Sequence, residues 1–140
     1  MAQIKILNVP KAGRQMLREY AVEYARLLNL KGLIVVQHDD ELKSLGCAEH
    51  LAKGIYRIGL NLKLGNVATM LQTLGHEMLH VQQYAKGILK LADNGDITWK
   101  GKAYPLKKRP EYHRQPWEIS VMRRETILFY TAEHNINSKG

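Results

Sequence analysis

The fold of this chain is decided by one stretch, from Asn66 to Gly87, which reads NVATMLQTLGHEMLHVQQYAKG. Its apolar side chains recur every three to four residues, the spacing that places them on one face of a helix. They are Val67, Met70, Leu71, Leu74, Met78, Val81 and Ala85. Asn66 can cap the first turn, and Gly87 stands where a glycine ends a helix. The stretch therefore predicts a long amphipathic helix.

The middle of this helix carries the motif His76-Glu77-Met78-Leu79-His80, which has the form H-E-x-x-H. Residues four apart lie on one helix face, so both imidazoles can reach a single metal ion. Glu77 lies one step round the helix, close enough to hold a metal-bound water. Both histidines lie outside the apolar face of the helix. The motif predicts a Zn²⁺ site with His76 and His80 as ligands, and the alternative is a polar helix face with two incidental histidines.

A catalytic zinc needs a third protein ligand and an open position for water. A histidine six residues past His80 would fall on Lys86, so that arrangement is excluded. Glu118 is the candidate, because it opens a second helix whose first turn can face the metal. The alternative is that Glu118 only complements the positive end of its own helix. The rival ligands are His113, Glu111 and Glu125, with His113 the most serious.

The remaining pattern predicts an α+β fold in which a small mixed sheet lies over the metal-binding helix. Residues 3–9, 33–36 and 55–62 read as strands, and residues 11–30 read as a helix that joins the first two. Residues 41–53 read as a short helix or irregular chain. Asn94-Gly95 predicts a hairpin between residues 89–91 and 97–99. Pro116 then begins a terminal helix that we expect to run to about His134.

The length and composition are those of an ordinary globular protein. The 140 residues, 45% hydrophobic and 24% charged, predict a single domain over residues 1–140. Apolar runs are too short to cross a membrane, and Cys47 is the only cysteine, which excludes an internal disulfide and a cysteine-based metal cluster. No secretory signal is recognisable, so we expect a cytoplasmic protein. We also expect a monomer.

The net charge of +8 is concentrated in the segment from Lys100 to Arg114, which has six basic residues against Glu111 alone. Such a patch attracts nucleic acid, acidic peptides or an anionic surface, although it can also be a solvated loop that keeps the protein soluble. Because the segment abuts Glu118, we favour an acidic protein substrate over nucleic acid.

Three elements together resemble the small gluzincin metallopeptidases, which include short HExxH proteins of phages and bacteria. They are His76-Glu77-x-x-His80, a hairpin that ends in Ile97-Thr98-Trp99-Lys100-Gly101, and Pro116-Trp117-Glu118. In those families a glutamate on a downstream helix completes the zinc site, so the resemblance implies Glu118 as the third ligand and a zincin-like fold. It also implies a zinc-dependent peptidase, in which Glu77 takes a proton from a metal-activated water and delivers it to the leaving amine.

The chain departs from this family in one respect. Many relatives carry a carboxylate two or four residues after the ligand glutamate, where this chain has Ser120 and Met122. A metal-bound histidine normally donates its other N–H to a carboxylate or carbonyl. Glu125, seven residues after Glu118, is the predicted substitute.

The proposed reaction also needs a donor for the developing oxyanion and a place for the substrate backbone. Tyr112, His113 and Arg114, just upstream of Glu118, are the candidate donors, although they can equally be residues of a basic loop. The strand over residues 55–62 can be a sheet edge on which an extended peptide pairs, or a plain structural strand.

Two other functions fit the same residues. One is a nucleic-acid-associated zincin, either an SprT-like protease that acts on DNA-bound proteins or a DNA-binding module. The other is an ImmA/IrrE-like regulator that cleaves or holds a repressor. An inactive relative that keeps its metal for structure is a further alternative.

Overall fold

A four-stranded mixed sheet forms the framework of the protein in the computed structural model, which describes residues 1–139. Its strands are β1 (Gln3–Leu7), β2 (Leu33–His38), β3 (Gly46–Ala52) and β4 (Ile55–Leu60). The order is β1-β2-β4-β3; the first three of these are parallel, and β3 runs antiparallel to β4. Ile4, Ile34 and Tyr56 are in register across the sheet and are buried, so one face of the sheet belongs to the core.

The helices are α1 (Lys11–Leu27), α2 (Val67–Ala85), α3 (Pro116–Met122) and α4 (Glu125–Ser138). Residues of α1, α2 and α4 share one hydrophobic core with the buried face of the sheet. The backbone N–H of Thr69 donates to Asn66 Oδ1 (2.8 Å) at the start of α2, and Gly87 follows its end with a φ of +72°. The predicted amphipathic helix, its cap and its terminating glycine are confirmed.

A small antiparallel sheet follows α2 and holds the start of α3. It consists of β5 (Leu89–Leu91), β6 (Ile97–Trp99) and β7 (Lys102–Tyr104), in that order. The predicted hairpin at Asn94-Gly95 is confirmed, and β7 is an additional strand. Leu89, Ile97 and Trp99 form a cluster with Trp117, which fixes the first turn of α3.

Three of the predictions are wrong. Residues 41–53 contain the strand β3, because Gly46 lets the backbone approach α2: a Cβ there would lie 2.9 Å from Thr73 Cγ2. The strand at residues 55–62 is not an edge, since β4 lies between β2 and β3. The terminal helix is not continuous, because the chain turns at Arg123 and Arg124 between α3 and α4.

Within residues 1–139, none of the helices combines the length and the hydropathy that a membrane crossing needs.

Glu23 ties α1 to α4, the helix that also carries Glu125. Its carboxylate accepts hydrogen bonds from Arg26 (3.0 Å, Nε to Oε1) and from Asn135 of α4 (2.8 Å), and the side chain is buried. The hydrogen bond from Arg26, with help from Asn135, outweighs the effect of burial and lowers the pKa of Glu23 to about 2. The ionised carboxylate therefore stabilises the fold at neutral pH.

We expect Glu23→Gln to lower the free energy of unfolding at pH 7 by about 1.5 to 3 kcal/mol, the range for hydrogen bonds to a charged group. The folded pKa lies below the unfolded value of 4.5, so this stabilisation is complete above pH 4.5 and is lost as the pH falls toward 2. Urea unfolding of both proteins at pH 7 and at pH 3 tests this. A difference between them that does not shrink at pH 3 would show that the charge of Glu23 is not what matters.

Candidate metal centre

Three of the predicted ligands meet at one point between α2 and α3. His76 and His80 project from the same face of α2, and their Nε2 atoms lie 3.0 Å and 3.1 Å from the same oxygen, Oε1 of Glu118. One ligand atom from each residue lies within 4.8 Å of the other two. This arrangement can hold a metal ion.

The placement of Glu118 follows from the residues around it. Pro116 occupies the first position of α3, where its fixed φ suits a helix and its missing N–H costs nothing. Trp117 is buried against the β5–β7 sheet, and Glu118, about 100° further round the helix, faces α2. Glu118 does lie in the first helical turn, as the alternative interpretation required, but its carboxylate is aimed at the two imidazoles.

The outer nitrogen of each imidazole has its own partner. His76 Nδ1 lies 2.5 Å from Glu125 Oε2, and His80 Nδ1 lies 2.7 Å from Gln83 Oε1. Glu125 is the residue that the sequence predicted for this contact, although it reaches His76 from α4 across the turn that follows α3. Gln83 is not among the predicted site residues, even though a residue three positions after His80 lies on the same helix face.

The three ligand atoms suit a cation, because the imidazole protons lie on the outer nitrogens and leave only lone pairs on the inner side. The outer Nδ1–H groups are donated to Glu125 and Gln83, so a neutral imidazole has only the lone pair of its Nε2 to offer on the inner side. Two such lone pairs then converge on a carboxylate oxygen, which also has only lone pairs to offer. A cation that accepts from all three atoms satisfies this arrangement, and two imidazoles with one carboxylate are a ligand set of catalytic zinc.

The electrostatics of the cluster agree with this. Burial lowers the pKa of His76, but the hydrogen bond to Glu118, the charge of Glu77 and the hydrogen bond to Glu125 outweigh it and raise that pKa to about 9. Burial raises the pKa of Glu118, but its hydrogen bonds with His76 and His80 outweigh it and lower that pKa to about 2. Positive charge is therefore favoured at the point where the three donors meet.

Glu77 lies beside the cluster and lines a cleft of about 640 Å³ between β3, α2 and α4. Other residues that line the cleft are Gly46, Thr73, His76, Glu125 and Phe129. Glu77 is only 6% exposed, and burial raises its pKa, although the charges of His80 and His76 oppose the increase. A carboxylate with a raised pKa at a cleft wall is suited to take up a proton from a bound molecule.

Of the three predicted oxyanion donors, the structure brings Tyr112 to the cluster. Its hydroxyl donates to Glu118 Oε1 (2.8 Å) and lies 3.4 Å from His76 Nε2. Burial and then the hydrogen bond to Glu118 raise the pKa of Tyr112, so the phenol keeps its proton at neutral pH. The ring of His113 is exposed instead, with Nε2 3.4 Å from the Glu111 carboxylate, and Arg114 is exposed as well.

The basic segment lies on the surface and leads into the site. Lys100 and Lys102 are exposed in the β5–β7 region, and Lys107 and Lys108 are exposed in a 3₁₀ turn over Leu106–Lys108. Arg109 is held by a hydrogen bond that it donates to the carbonyl of Gly95. The chain reaches Tyr112, which lines the cleft, three residues after Arg109.

Comparison of the chain with known protein families, with curated proteins and with solved structures finds no match. The structure by itself shows an α+β protein with a small mixed sheet and a His76–His80–Glu118 cluster. The zincin-like fold, the identity of the metal, the monomeric state and the cytoplasmic location stay predictions.

Proposed function

We propose that this protein is a zinc-dependent peptidase with a zincin-like fold, in which His76, His80 and Glu118 hold the ion and Glu77 is the general base. The observation that carries the proposal is the convergence of both imidazole Nε2 atoms on Glu118 Oε1, with Glu77 beside them in an open cleft. The resemblance to gluzincins supports the same assignment.

The chemistry is divided between the ion and the side chains. Zinc held by His76, His80 and Glu118 would lower the pKa of a bound water toward 7 and would polarise a carbonyl. The Glu77 carboxylate accepts the proton of the attacking water and then gives it to the leaving amine. The Tyr112 hydroxyl can turn from Glu118 to donate to the developing oxyanion. Glu125 and Gln83 keep the two imidazoles in the orientation that the reaction needs.

The substrate backbone is assigned to the free edge of β3. Because the N–H of Asn61 donates to the carbonyl of Leu45 (3.0 Å), the alternation of an antiparallel pair leaves the backbone groups of Gly46, Ala48 and His50 on the outer side. An extended peptide can pair with these groups and pass the cleft.

The other edge of the sheet is less open to a peptide. Arg18 of α1 donates to the carbonyl of Ile4 in β1 (3.0 Å), and Arg14 donates to the carbonyl of Val9 just beyond that strand (3.1 Å). Charged side chains over an edge strand oppose the addition of another strand.

Metal analysis together with a digest of proteome-derived peptides tests the proposal. We expect one zinc per purified chain and cleavage that is lost with a chelator and restored by zinc. Zinc without cleavage under any of these conditions would overturn the peptidase and leave a binding or structural role for the metal.

For the substrate we propose an acidic protein or peptide, since the exposed cations of the basic segment lead directly to Tyr112. The triple variant Lys107→Ser, Lys108→Ser and Arg109→Ser should lower kcat/KM for acidic peptides by about tenfold or more at low salt, where electrostatic steering is strongest. Cleavage of a short neutral peptide should not change. Initial rates on matched acidic and neutral peptides at two salt concentrations measure this.

The control for that variant removes three positive charges from surface positions outside the basic segment. Lys11, Lys31 and Lys53 are exposed, and their replacement by serine should leave both peptide substrates unaffected. Tight binding of wild-type protein to 20-mer duplex DNA at physiological salt, lost in the Lys107–Lys108–Arg109 variant, would contradict the acidic substrate. It would favour a nucleic-acid-associated zincin instead.

A further inference from the structure

Gln83 is one of the most deeply buried polar side chains of α2, with 2% of its surface exposed. Both ends of its amide are hydrogen-bonded. Its Oε1 accepts from His80 Nδ1 (2.7 Å), and its Nε2 donates to the backbone carbonyl of Trp117 (3.0 Å). Burial of a glutamine costs free energy unless its polar atoms are satisfied, so this geometry is strongly preferred.

The contact with Trp117 decides which way the amide of Gln83 faces. A backbone carbonyl can only accept, so the nitrogen of the amide must point to Trp117 and the oxygen to His80. The oxygen in turn requires a proton on Nδ1 of His80. The neutral ring therefore has Nε2 as its free lone pair, and this is the nitrogen that faces Glu118.

The same amide also links the two ligand-bearing helices. Trp117 directly precedes Glu118, so the contacts His80–Gln83, Gln83–Trp117 and His80–Glu118 close a ring between α2 and α3. His76 has no such link to α3 through its outer nitrogen, since its partner Glu125 lies on α4 and is one-third exposed.

We propose that Gln83 is a positioning residue that fixes the tautomer of His80 and holds the first turn of α3 at the distance at which Glu118 meets both imidazoles. This inference rests on the metal site of the proposed function, but not on peptidase activity. It assigns to Gln83 a role that the sequence motif does not indicate.

Three variants test it by zinc affinity, measured in competition with a chelator. Gln83→Leu removes both hydrogen bonds and should weaken zinc binding by about 10 to 100-fold, the usual effect of losing the partner of a ligating histidine. Gln83→Glu keeps an oxygen acceptor for His80 but loses the donor to the Trp117 carbonyl, so it should recover only part of that loss. Gln82→Leu is the matched control, because Gln82 is also buried (7% exposed) but donates to the carbonyl of Leu28, just after α1 (3.1 Å), away from the site. Its zinc affinity should equal that of wild type.

The ring-nitrogen NMR shifts of His80 give a second readout that needs neither metal nor substrate. We expect Nδ1 of His80 to carry a proton in wild type, because it faces the Gln83 oxygen, and to lose this preference in Gln83→Leu. A wild-type His80 with its proton on Nε2 alone, or equal losses of zinc affinity in Gln82→Leu and Gln83→Leu, would overturn the inference. A wild-type protein that binds no zinc would instead overturn the proposed function, and the NMR experiment would still decide the role of Gln83.

Discussion

Glu77→Gln is expected to lower kcat/KM for peptide hydrolysis by about 10² to 10⁴-fold, the contribution of a general base, while one zinc per chain stays bound. The amide is nearly the same size as the carboxylate and fills the same place at the cleft wall, but it cannot accept a proton. Rates on a peptide identified by the digest, together with metal analysis of the same preparation, measure both quantities.

The control is Glu19→Gln, which makes the same chemical change on the exposed face of α1 and should leave the rate unchanged. His76→Ala and His80→Ala should lose both metal and activity, which separates ligands from the base. If Glu77→Gln loses as much zinc as these two variants, Glu77 is a ligand or a structural support, contrary to the role assigned to it.

The second large effect is expected for Glu118→Ala, which should reduce zinc affinity by orders of magnitude and abolish hydrolysis. Glu118 is the oxygen ligand on which both imidazoles converge, and two histidines on one helix do not make a catalytic site. Zinc titration of the purified variants measures the affinity. Circular dichroism of each variant checks that the total helix content is unchanged.

Variants of three nearby residues provide the comparison for the zinc affinity of Glu118→Ala. Glu125→Ala removes the partner of His76 Nδ1 and should weaken zinc binding by about 10 to 100-fold. Glu111→Ala and His113→Ala should bind zinc like wild type, because these two side chains are exposed and pair with each other. A loss in His113→Ala as large as the loss in Glu118→Ala would replace the proposed ligand set with three histidines.

The elements that the sequence predicts well are those specified by local chemistry. The helix α2 has an apolar stripe, a capping Asn66 and a terminating Gly87 within one stretch, and each acts on its immediate neighbours. The hairpin at Asn94 is similarly local, since the N–H of Asp96 donates to Asn94 Oδ1 (3.0 Å). Such features need no knowledge of the rest of the fold.

The elements that the sequence does not predict depend on distant partners. The strand β3 is held by pairing with β4 and by the close approach of Gly46 to α2, neither of which has a periodic signal. The break between α3 and α4 also depends on contacts with distant parts of the chain. The residues on both sides of Arg123 suit a helix, but α4 packs on α1, with Phe129 stacked on Tyr20 at 6.1 Å between ring centroids.

The metal site likewise contains some residues that the sequence predicts from local spacing and others that depend on distant contacts. The spacing of His76 and His80 is a property of one helix and can be predicted without the fold. Glu118 is 38 residues beyond His80, so the residues alone make it the best candidate among several rivals, and the resemblance to gluzincins strengthens that choice. Gln83 carries a signal only in its spacing from His80, and its contact with Trp117 depends on how α3 docks.

X-ray absorption spectroscopy of the zinc-loaded wild-type protein tests the central claim most directly. We expect one zinc per chain, bound only by nitrogen and oxygen at about 2.0 to 2.2 Å, with the scattering pattern of two imidazoles. Cys47 should contribute no sulfur, since its Sγ lies beside Arg57 (3.8 Å from Nη1). A zinc–sulfur distance of about 2.3 Å, or a protein that binds no zinc, would contradict the account.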